Sequence, residues 1–143
     1  MSNSLKPPQL NEKSGDVSLG KMPSLGEGEI DYPVFCFRHL HKDYDFKRCS
    51  RAENKLLKAC VQKIQSVSCL SWHDIQLTDR HGNGTEKISR SSLKVAIPTS
   101  TTKEVKELLA FHFSGTQGQI IGYRNGYLFH VFFIDTKQEV YSH

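Results

Sequence analysis

Three of the seven histidines, His112, His130 and His143, fall in the last third of this 143-residue chain, interspersed with Tyr123 and Tyr141. Histidine is the side chain best placed to move protons near neutral pH. Upstream, "TDRHGNGTEKISR" brings Arg80, His81, Glu86, Lys87 and Arg90 within eleven residues, one carboxylate among cations. A loop beside a sheet can hold such groups over a substrate.

The elements that must position these groups are legible in outline. Ser50, with Glu53 three residues on, is a capping-box signature, followed by Leu56, Leu57, Cys60, Val61, Ile64 and Val67 at helical spacing. A second short helix is expected from Ser71, with Asp74 as its third residue and Trp72 and Ile75 as core anchors. Val34–Phe37 suits a short strand, and His39 and His41 after it read as solvent-exposed. Gly82, Asn83 and Gly84 make the stretch around Glu86 read mostly as loop. A further short helix is expected around Thr102–Leu108.

The last third reads as three antiparallel strands, Leu108–Ser114, Gln119–Arg124 and Tyr127–Asp135. Asn125-Gly126 between two apolar runs predicts a two-residue type I′ turn. That register sets Arg124 opposite Tyr127, Tyr123 opposite Leu128 and Ile121 opposite His130. Alternation then sorts the side chains into two faces. Leu109, Phe111, Phe113, Ile120, Phe129, Val131 and Phe133 should pack on the helices. His112, Gln119, Ile121, Tyr123, His130, Phe132 and Ile134 fall on the other face. His112 and His130 would flank Ile121 in one row, ~10 Å apart, too wide for one metal ion without further ligands.

Charge is uneven. Residues 1–32 are rich in Ser, Pro, Gly, Lys and Glu with a net charge of −2, and read as a flexible polar tail. Residues 33–143 carry a net +6 and read as one domain, attracted to polyanions such as RNA. Cys36, Cys49, Cys60 and Cys69 form no C-x-x-C pair and no zinc spacing, so reduced thiols and a cytoplasmic location are expected, with no metal and no cofactor. No apolar run approaches ~18 residues, which excludes a membrane-spanning helix.

Two helical segments followed by a sheet ending "IIGYRNGYLFHVFFID…VYSH" resemble the RelE/YoeB family of bacterial toxins, small basic α+β proteins that cut messenger RNA. "YDFKRCS", "SWHDIQLTDRHGNGTEKI" and "FIDTKQEVYSH" also resemble a group of uncharacterised bacterial proteins. The first resemblance implies an α+β fold, with N-terminal helices on one face of an antiparallel sheet and RNA on the open face. It implies cleavage without metal: a base takes the 2′-hydroxyl proton, cations hold the phosphorane charge and an acid protonates the leaving 5′-oxygen. Arg124 matches the family's phosphate-holding strand arginine, and Tyr141 and His143 match its terminal tyrosine or histidine. Glu86 corresponds to the acidic base of some members, and His130 completes the catalytic set. Arg80, His81, Lys87, Arg90, His112 and Tyr123 would line the RNA. Implied partners are RNA, free or ribosome-bound, and an antitoxin, with no membrane. Here Ser142 separates Tyr141 from His143, whereas some members have the two adjacent. The alternative reading is a non-catalytic RNA- or protein-binding module of the same fold; a metal-dependent hydrolase lacks ligand spacing.

Overall fold

The computed structural model describes residues 31–79, 82–98, 105–113 and 118–142. Residues 1–30 of the expected tail (1–32) lie outside them, as do Arg80, His81 and His143. The chain is α+β: β1 (Val34–Cys36), α1 (Asn54–Ser68), α2 (Trp72–Gln76), β2 (Thr85–Ser89), β3 (Glu107–Phe113), β4 (Gly118–Asn125) and β5 (Leu128–Asp135). The strands form one sheet in the order β1-β5-β4-β3-β2. Its β3–β5 portion is antiparallel as expected and β2 adds a further antiparallel strand, but β1 runs parallel to β5, so the sheet is mixed. The stretch around Glu86 is a strand, because Ile88 is buried and the segment pairs with β3. Likewise Glu107 and Leu108 are strand, not helix; residues 102–104 of that expected helix are outside the described set.

Local signals explain the helices. The Ser50 amide donates to Glu53 Oε1 at 3.0 Å, closing the expected capping box over a short 3-10 turn, and α1 follows from Asn54. Ser71 Oγ accepts from the Asp74 amide at 3.1 Å and starts α2. Cys60 and Val67 of α1 and Trp72 and Ile75 of α2 are buried on the sheet face formed by Phe111, Phe113, Ile120, Phe129, Val131 and Ile134. Each fully buried Phe or Ile there contributes about 2–3 kcal/mol of transfer free energy. Val61, though on the expected stripe, is 58% exposed.

The hairpin differs from its expected register. Asn125 pairs with Leu128 and Tyr123 with His130, leaving Gly126 and Tyr127 as the turn. Of these two turn residues Gly126 alone has positive φ, 62°, the arrangement of a type II′ turn. Tertiary bonds explain the shift: the Tyr127 carbonyl accepts from the Val34 amide and from Trp72 Nε1, both at 3.0 Å. A bulge follows, with Gly122 opposite Val131 but Ile121 opposite Phe133. A β-carbon on Gly122 would sit 2.1 Å from the His130 carbonyl oxygen, so the close approach requires glycine. Past the bulge β5 changes phase. Phe133 therefore joins the second face and Ile134 the helix face, the reverse of the expected assignment.

The second face is not open. Tyr44, Leu93, Val95, Ile97, Val140 and Tyr141 pack on Ala110, Ile121, Phe132 and Phe133. The His41 amide donates to the Phe132 carbonyl (2.7 Å), and Ile134 to that of Tyr44 (2.8 Å), so residues 38–45 run along β5 beyond β1. This corrects the open face that the family resemblance implies. No helix among the described residues is long and apolar enough to cross a membrane, and all four cysteines are free thiols.

Candidate active site

On β2, β3 and β4, alternation turns Glu86, His112 and Gln119 toward the second face. Glu86 pairs with Ala110, two residues from His112, and His112 pairs with Gln119. Tyr141 reaches the same point from the C-terminal segment. Glu86 Oε2 lies 2.8 Å from His112 Nε2 and accepts the Tyr141 hydroxyl at 3.0 Å. The Tyr141 oxygen in turn accepts Gln119 Nε2 at 2.8 Å. With Glu86 ionised, His112 Nε2 must carry its proton toward it. Burial, reinforced by the bond to Glu86, pushes the Tyr141 phenol up, so it stays a neutral donor. The Glu86 side chain is 24% exposed while that of His112 is 8%, so the carboxylate is the member that meets solvent. A carboxylate, an imidazole and a phenol sharing one oxygen can pass a proton among themselves: the set is equipped for general acid–base chemistry.

Asp135 brings Tyr141 there. Fully buried, its carboxylate accepts the amides of Lys137, Glu139 and Val140 at 3.0–3.2 Å, reversing the chain after β5. Gln138, at φ 58°, takes the left-handed conformation in that reversal. Residues 92–94 then pair with 140–142 through Lys94 N to Val140 O (2.7 Å) and Ser142 N to Ser92 O (3.0 Å). Asp135→Ala strips three backbone donors, that of Val140 buried, of their acceptor. It should cost on the order of 3 kcal/mol in urea unfolding, with Asp135→Asn intermediate. Equal midpoints for Asp135→Ala and the wild type would deny Asp135 this role.

The other candidates stand elsewhere. Arg124 points to the helix face, its Cζ 4.4 Å over the Trp72 ring and its Nη2 3.1 Å from Asp31 Oδ2. His130 projects to the second face, opposite Tyr123 and four residues along β4 from the Gln119 row, about 13 Å. It therefore does not flank Ile121 with His112, and its ring neighbour is His39, at 5.6 Å between centroids. His39 is 6% exposed, a correction to its expected solvent position. Tyr123 is half-buried beside the second-face core. Lys87 is exposed and pairs with Leu109, which packs on the helix-face core, and Arg90 Nη1 donates to the Val105 carbonyl at 3.0 Å.

Three of the eleven candidates thus converge: Glu86, His112 and Tyr141. Gln119 was missed as a site residue, though a glutamine beside "II" in a buried strand is itself a signal that a polar partner lies inside. Among the described residues, no group of three or more His, Cys, Asp or Glu side chains is arranged to hold a metal ion. No protein-family model, curated protein or solved structure matches this chain.

Proposed function

We propose that the protein is a RelE-type endoribonuclease that cleaves messenger RNA in the cytoplasm by acid–base catalysis, as the toxin of a toxin–antitoxin pair. The observation that carries the reading is the single carboxylate oxygen of Glu86 held at hydrogen-bond distance from both His112 and Tyr141. Helices on one face of the sheet and the hairpin-linked order of β3, β4 and β5 support the RelE-like comparison. The net charge of +6 over residues 33–143 favours RNA as substrate.

In this mechanism a 2′-hydroxyl gives its proton to Glu86 as its oxygen attacks phosphorus. The P–O5′ bond breaks and Glu86 hands that proton on to the leaving oxygen, yielding a 2′,3′-cyclic phosphate and a 5′-hydroxyl. His112, its Nε2 2.8 Å from Glu86 Oε2, orients the carboxylate for both transfers. Tyr141 holds the carboxylate in place, and Arg124, on the opposite face, fastens the fold.

The test is induced expression in bacteria of the wild type beside His112→Asn, with growth followed and messenger-RNA 5′ ends mapped. Growth arrest with new 5′ ends, both lost in the variant, is the expected result. Normal growth with soluble wild-type protein would sink catalysis. That outcome would favour the binding module, which the burial of His112 (7%) and Tyr141 (3%) as a fastening network would suit.

A further inference from the structure

His130 is 5% exposed, and neither of its ring nitrogens has a hydrogen-bond partner. A buried imidazole so placed has nothing to accept a proton's charge. Its ring neighbour is a second buried imidazole, His39, on the segment that crosses from β1 along β5. Among the described residues, titratable and charged groups stand around His130 and its neighbour on three elements. They are Cys36 opposite His130 on β1, Tyr123 opposite it on β4, and Arg38 adjoining His39 on the segment itself. None of these supplies a counter-charge near neutral pH, and Arg38 opposes protonation. His41 packs instead on Tyr44 and Phe133. The segment is tied to β5 by the His41–Phe132 and Ile134–Tyr44 backbone bonds.

We infer that His39 and His130 form an acid-sensitive latch: protonating His130, packed against the buried His39 ring, frees residues 38–45 from the sheet and uncovers the face around Phe132 and Phe133. The device is independent of the catalytic reading, since it lies toward the opposite end of the sheet from Glu86 and His112.

Burial lowers the proton affinity of both rings, with Arg38 acting on His39 and His39 on His130. A ring harder to protonate when covered gains protons on opening. Closure is therefore fully favoured above about pH 6.5 and weakens as pH falls below it. The opening constant should rise by up to about tenfold per pH unit for each imidazole until the covered ring itself titrates.

The decisive experiment is amide hydrogen exchange on the whole chain between pH 7.5 and 5.0, corrected for the intrinsic pH dependence. Protection at the His41 and Ile134 amides should fall by tenfold or more while that at Ile120 and Phe111 holds. The fall should vanish in His39→Phe/His130→Phe. Unchanged protection at His41 and Ile134, uniform loss at all four amides, or an equal fall in the double variant would each overturn the latch. Imidazole titration of the wild type by NMR gives a second arm that needs no variant. Midpoints for His39 and His130 below those of exposed histidines support the latch, and midpoints at or above them overturn it.

Discussion

Replacing Glu86 by glutamine should lower RNA cleavage by at least a hundredfold, and up to ten-thousandfold, with the fold retained. Glutamine keeps the shape, but it cannot take a proton, and its amide cannot reproduce a carboxylate oxygen accepting from His112 and Tyr141 together. The loss in stability should be small, about 1–2 kcal/mol, because the carboxylate is partly solvated and its bonds lie at the margin of the core. Tyr141→Phe provides the contrast. It removes one donor from Glu86 and raises the carboxylate's proton affinity, so the acid limb of the rate profile should move to higher pH. The residual rate near pH 8 should stay within about tenfold of wild type, since Glu86 still takes the proton. Initial rates on a labelled RNA from pH 5 to 9, beside thermal melts of each variant, would check both. Wild-type rates in a folded Glu86→Gln protein would remove Glu86 from the mechanism.

The largest expected loss of stability is that of Trp72→Ala, about 4–5 kcal/mol. The ring is 1% exposed and lies 6.1 and 6.0 Å from Phe111 and Phe129, so truncation opens a cavity at the centre of the helix-face core. It also removes the Nε1 donor to the Tyr127 carbonyl in the hairpin turn, and the surface on which Arg124 stacks. A domain of this size holds about 5–15 kcal/mol in total, so most of that margin would be gone. Trp72→Phe should keep the packing and lose only about 1–2 kcal/mol. Urea unfolding followed by far-UV circular dichroism is the appropriate probe, because Trp72 is the only tryptophan. A midpoint for Trp72→Ala near that of the wild type would contradict the central position assigned to this ring.

Local physics carried much of the fold into the sequence. Both helix starts rest on short-range side-chain–backbone bonds, so Ser50 with Glu53 and Ser71 with Asp74 were readable before any tertiary contact was known. Strand alternation likewise assigned Phe111, Phe113, Ile120, Phe129 and Val131 to the helix face, where they are found. Alternation failed at Phe133 and Ile134. A single extra residue in β5 reverses every side chain beyond it, and nothing local announces a bulge that depends on Gly122 meeting a neighbouring carbonyl.

The candidate site divides in the same way. Its residue types were legible, because a glutamate among cations and histidines inside apolar strands are chemically conspicuous wherever they stand. Which of them meet was decided only by tertiary structure. Arg124 and His130 are six residues apart yet project through opposite faces of one sheet, whereas Glu86 and Tyr141, 55 residues apart, share a hydrogen bond. The turn residues Gly126 and Tyr127, the mixed sheet and the covered second face were decided there too, by bonds from Val34, Trp72 and His41 to positions distant in the chain and by the chain reversal around Asp135. Hydrophobic alternation and helix caps act over a few residues and are written in composition and spacing. The meeting of Glu86, His112 and Tyr141 depends on strand order, on a chain reversal around a buried carboxylate and on one bulge, and only the assembled sheet expresses all three.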